Sequence, residues 1–142
     1  MKRILVALDA SERAPAVLAA AVRLAEVMDA KLVLYRAINL PTEVPAEAYL
    51  ATDVRLEDVL KRNAHEALSR MASTIPAALV EALAVELAIP WDGILRTSHQ
   101  RDADLIVIGS HGFRGLDRLL GTTAAKVVNR ADRNVLVVRT PL

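Results

Sequence analysis

This 142-residue chain predicts an α/β fold, a single doubly wound five-stranded parallel sheet, on three observations. Short aliphatic runs, too continuous to be half-exposed, recur along the chain. Segments with apolar residues at helical spacing separate them. Proline, glycine and aspartate punctuate the junctions. Strands alternating with helices imply parallel neighbours, right-handed crossovers and a sheet covered on both faces.

Ile4-Leu5-Val6-Ala7-Leu8 predicts the first strand, closed by Asp9-Ala10-Ser11. Val17, Leu18, Ala21, Leu24, Ala25 and Met28 then recur at helical spacing, with Ser11 as the expected cap and Pro15 tolerated near the first turn. Residues 31–38 form a second strand. Residues 39–51 hold Pro41 and Pro45 and read as a surface loop. After Thr52 a long amphipathic helix carries Leu56, Val59, Leu60, Ala64, Leu68 and Met71. Residues 80–87 partly alternate, with Glu81 and Glu86, as a strand near an edge does. Pro90 suits the first turn of a helix whose apolar face includes Ile94 and Leu95. Residues 104–108 predict a fourth strand, 121–131 a helix, and 134–139 the last strand.

Composition narrows the function classes. Hydrophobic residues make up 54% of the chain and aromatics only 3%, so the core is aliphatic. The length suits one domain, spanning 1–142. There is no cysteine, which removes disulfides and thiolate metal sites. No apolar run approaches the length of a membrane span. The apolar N-terminal stretch stops at Asp9 with no cleavage pattern after it. These features suit the cytoplasm and no membrane partner. Eighteen basic and 17 acidic residues give a net charge of +1, and no basic cluster interleaves with aromatics, so no nucleic-acid partner is expected.

The strongest functional signal follows the fourth strand. Four of the five glycines, Gly109, Gly112, Gly115 and Gly121, fall in this one segment. Glycine lets a ligand approach the main chain, and successive amides make an anion-binding concavity. Gly121-Thr122-Thr123 then opens a helix whose free N–H groups favour phosphate. Arg114 and Arg118 add charge nearby, and the Thr122 and Thr123 hydroxyls can donate. The alternative is a plain connection with Thr122 as a helix cap. The segment lacks the lysine of a Walker A loop and the G-x-G start of the dinucleotide fingerprint. Asp9, ending the first strand, can contact ribose or a phosphate-bound magnesium, or simply start a turn. No histidine spacing among His65, His99 and His111 suits a metal, and Ser110-His111 has no acid placed to complete a triad. Asp117 can at most orient a water. Trp91, beside Pro90, is expected to pack over the core or a subunit contact.

Val6-Ala7-Leu8-Asp9-Ala10-Ser11, Asp104-Leu105-Ile106-Val107-Ile108-Gly109-Ser110-His111-Gly112, Leu119-Leu120-Gly121-Thr122 and Val135-Leu136-Val137-Val138 together resemble the universal stress proteins, over essentially the whole chain. The resemblance implies a Rossmann-like, adenine-nucleotide-hydrolase-like sheet of order 3-2-1-4-5. Gly109, Gly112, Gly121 and Thr122 match elements of that family's nucleotide-binding G-x2-G-x9-G-[S/T] pattern, with a spacer of eight residues instead of nine. By the same resemblance Asp9 contacts the nucleotide, backbone at Ala7, Ala37 and Ile108 lines the adenine and ribose pocket, and Thr123 contacts phosphate. Arg36 stands where the family usually has histidine, and Ala88-Ile89-Pro90 lacks its frequent glycine. The implied ligand is ATP, AMP or ADP, with or without Mg2+. The implied assembly is a homodimer through the last strand, whose apolar edge lacks charged guards. The leading functional reading is a regulatory stress-response protein that acts by nucleotide-dependent binding. A slow ATPase and an interaction protein that binds no nucleotide are the alternatives.

Overall fold

A computed structural model describes residues 2–39, 46–110 and 120–140, with the backbone path alone for 46–55. Five strands form one parallel sheet: β1 (Arg3–Ala7), β2 (Lys31–Ile38), β3 (Val80–Leu87), β4 (Leu105–Gly109) and β5 (Asn134–Val138). Their order is β3-β2-β1-β4-β5. Every neighbouring pair is parallel. The helices α1 (Ala14–Met28), α2 (Ala46–Ala72), α3 (Pro90–Gln100) and α4 (Thr122–Arg130) fill the crossovers.

The continuous aliphatic runs follow from burial on both faces. Ile4, Leu5 and Val6 of the central strand β1 are all fully buried. Ile4 and Val6 join Leu32, Leu34 and Val107 under α1 and under Leu68 of α2. Leu5 joins Tyr35, Ile106 and Ile108 under Ile94 of α3 and Ala124 and Val127 of α4. Neighbouring residues of one strand thus face opposite cores, as the period of two requires. A helix runs past each face, so neither face tolerates charge.

Two local expectations are corrected. The expected loop 39–51 is shorter, because α2 already begins at Ala46. Pro41 and Pro45 lie outside the described residues. Alanines and glutamate after Pro45 are good helix formers, and a proline is compatible with the start of a helix. Ser11 is not the cap of α1. The N-cap is Arg13, without a side-chain cap. Ser11 instead builds the turn before the helix, its Oγ accepting from the Arg13 amide at 3.3 Å.

Candidate functional site

The strand order reverses between β1 and β4, so their carboxyl ends diverge into a crevice. A cleft of about 390 Å³ opens there. It takes in Ala7, Asp9, Ala37, Ile108, Gly109, Thr122 and Thr123. Every described residue expected to bind ligand lines it except Gly121, which opens the helix beside it. Gly112 lies outside the described residues, as do His111, Gly115, Arg114, Asp117 and Arg118.

The wall after β1 is a fixed turn. Leu8 N donates to Tyr35 O at 2.9 Å, carrying the strand one residue past its last ladder pair. Asp9 Oδ1 then accepts from the Ser11 amide at 2.9 Å, closing an Asx turn. From β2, the Arg36 guanidinium donates to Leu8 O at 3.2 Å and to Asp9 O at 2.8 Å. Arg36 therefore clamps the backbone that carries Asp9. Burial holds its pKa below the ordinary arginine value, with Asp9 opposing the shift.

The wall after β4 is a helix start. Ser110 N donates to Val138 O at 3.0 Å, and Ser110 O accepts from Gly121 N at 2.8 Å. The two ends of the glycine-rich segment thus meet at one residue. Gly121 is the N-cap of α4 and brings no side-chain acceptor. The amides of Thr122, Thr123 and Ala124 find no acceptor among the described residues. Ala124 is only 2% exposed, yet it lines the cleft. A first helical turn leaves its N–H groups without intrahelical partners and carries the positive end of the helix dipole. At Gly109 a Cβ would come within 3.1 Å of Val17 Cγ2, so glycine lets β4 end tightly against α1.

The remaining wall is largely apolar, from Tyr35, Pro90, Ile94 and Val138. Sequence reasoning did not single these out as site residues, nor Arg13 and Thr140, which also line the cleft. Tyr35 had a readable signal, since it shares a strand face with Ala37. Its hydroxyl donates to Glu86 Oε1 at 2.7 Å, and Thr97 Oγ1 donates to the same oxygen at 3.2 Å. Arg96 holds Glu86 Oε2 at 3.1 Å. Burial, then the bond to Glu86, pushes the Tyr35 phenol above its ordinary value, so it stays neutral.

His65 and His99 are exposed. Trp91 packs beside α4, with Arg130 4.4 Å and Lys126 5.5 Å from its ring centre. Among the described residues, no group of three or more His, Cys, Asp and Glu is placed to hold a metal ion, and no helix is long and apolar enough to cross a membrane.

Residues 1–139 match the sequence profile of the Universal stress protein family. The chain belongs to that family. Among its relatives, universal stress protein A homolog 1 of Coxiella burnetii is 30% identical, over 96% of this chain and 95% of that protein. A universal stress protein solved in complex with cAMP is 25% identical, with a TM-score of 0.71 and coverage of 99% of this chain and 98% of that one. The universal stress protein of Archaeoglobus fulgidus, solved in complex with dAMP, is 25% identical, with a TM-score of 0.65 and coverage of 96% and 97%. The sheet order of this family member is the one its sequence resemblance implied.

Proposed function

We propose that this universal stress protein binds an adenine nucleotide in the cleft between the ends of β1 and β4 and acts through its occupancy rather than by turnover. One observation carries the reading: Thr122, Thr123 and Ala124, the first residues of α4, whose amides have no described acceptor, line the same cleft as Asp9. A phosphate satisfies those amides and the helix dipole together. Asp9 takes ribose hydroxyls or a phosphate-bound Mg2+, since its Oδ2 has no described partner. Backbone at Ala7, Ala37 and Ile108 meets the base and sugar. Gly109, Gly112 and Gly121 let the chain approach the phosphates, and the Thr122 and Thr123 hydroxyls donate to them. Two family members solved with cAMP and dAMP support this choice of ligand class. ATP, ADP and AMP are the candidate ligands.

Isothermal titration of the full chain with ATP and AMP, with and without Mg2+, tests the reading. Binding is expected, and Asp9→Ala should weaken it about tenfold through lost charge-assisted hydrogen bonds. No heat and no thermal shift at millimolar nucleotide overturns it. Phosphate release that Asp9→Ala abolishes would replace it with an ATPase.

The same reading includes a homodimer through β5. Among the described residues that strand pairs only with β4, and it is uncharged along Asn134–Val138, with Leu136 38% exposed. An unguarded edge is a surface for strand pairing. Sedimentation equilibrium should give a dimer, and Leu136→Lys should shift it to monomer; a wild-type monomer at high micromolar concentration counts against the pairing.

A further inference from the structure

The cleft contains one side chain that breaks a local rule. Arg13 is the N-cap of α1, a helix of 15 residues with no acidic residue in its first turn. A cation there faces the positive end of the helix dipole, an unfavourable placement. Asp9, in the turn before the helix, gives one carboxylate oxygen to the Ser11 amide and does not pair with Arg13. The Arg13 side chain forms no hydrogen bond or ion pair with any described residue, and neighbouring Glu12 is exposed and does not pair with it. Such a local conflict without structural compensation is the mark of a functional position.

The electrostatics of the cleft give that position a task. Asp9 and Arg13 are the charged side chains among its described lining. Arg36, the other guanidinium nearby, is already committed to Leu8 O and Asp9 O. Arg13 is half-buried and has no partner among the described residues, and its planar fork matches two oxygens of one phosphate. The α4 amides form one anion locus. Arg13 forms a second, on the α1 side of the same cleft. A ligand that meets each with a separate phosphate carries at least two.

We propose that Arg13 is the charge-selecting residue of the cleft: it holds the outer phosphate of a nucleoside di- or triphosphate whose inner phosphate rests on the α4 amides. This inference rests on the nucleotide-binding reading above. A bound outer phosphate would neutralise Arg13 and the α1 dipole together, which accounts for an arginine at this otherwise unfavourable place.

Titration of the full-length wild type, Arg13→Gln and Arg13→Lys with AMP, ADP and ATP decides it. The wild type should bind ATP about tenfold tighter than AMP; Arg13→Gln should lose most of that preference while holding AMP within about twofold, and Arg13→Lys should keep part of it as a point charge without the fork. The ligand-free Arg13→Gln protein should melt at or above the wild-type temperature, because a cation leaves the helix's positive end. A merely structural arginine would lower that temperature. Equal wild-type affinity for AMP and ATP, or equal weakening of both by Arg13→Gln, overturns the inference while nucleotide binding stands. A wild type that binds no nucleotide overturns both.

Discussion

At Gly93 an added Cβ would lie 2.0 Å from the Tyr35 hydroxyl and 2.9 Å from Glu86 Oε1. The glycine therefore makes room for the hydroxyl–carboxylate pair behind the cleft. Gly93→Ala should cost about 1–3 kcal/mol by overpacking, read as a lower urea midpoint at constant slope. Tyr35→Phe removes the obstructing oxygen. It should cost about 1 kcal/mol alone, through the lost hydrogen bond, and should recover part of the loss in the Gly93→Ala background. Strict additivity of the two changes would show that the Tyr35 hydroxyl does not set the size limit at Gly93. No sequence pattern announced this pair. A glycine in the first turns of a helix is merely a weak helix former until its spatial neighbour across the crossover is known.

Among the elements, α3 depends on a residue far along the chain. Arg133 donates from one guanidinium nitrogen to Ser98 O and Ala103 O, both at 2.8 Å, and through Nε to Asp132 Oδ1 at 2.8 Å. It thereby adds a charged donor to the Ser98 carbonyl in the last turn of α3, which also accepts from the Ala103 amide at 2.9 Å. Arg133→Met should cost about 2 kcal/mol, because two carbonyls lose a charged donor. Amide exchange should accelerate first at the end of α3 and the start of β4. Uniform exchange across the whole sheet would argue against local capping. The elements themselves were legible. Pro90 marked the start of α3, and β2 and β3 run as the apolar patterns predicted. The missed start of α2 has a local cause: two prolines suggested a loop, while the alanines and the one glutamate, Glu47, that follow favour helix.

For the whole molecule, acid should be the sensitive axis. Hydrogen bonds from Arg3 hold Glu81 below the ordinary carboxylate range. Backbone amides of Lys2 and Arg3 do the same for Asp104. Arg133 lowers Asp132 from 3.8 to about 2. Burial pushes Glu86 up, but bonds from Arg96 and Tyr35 outweigh it and leave the value lowered from 4.5. A carboxylate with a lowered folded-state pKa adds stability that is fully present above its unfolded value and disappears as pH falls toward the folded one. The melting temperature should thus fall as pH drops from 4.5 toward about 2. Glu86→Gln should make that fall shallower. A variant as acid-sensitive as the wild type would remove Glu86 from this account.

The sequence by itself determined the alternation of strands and helices, because burial on both faces demands unbroken aliphatic runs such as 4–8 and 104–108. It also marked Asp9 and Thr122, since strand ends and glycine-led helix starts are local patterns. Only the tertiary structure decided which of these meet. The reversal of strand order between β1 and β4 places Asp9, Ile108 and Thr122 around one cleft, although more than a hundred residues separate the first from the last. It also brought Arg13, Tyr35 and Thr140 to that cleft and set Gly93 beneath a tyrosine of another strand. Periodicity encodes which face a residue presents. Which distant residue lies opposite is fixed by packing, and a linear pattern does not carry it.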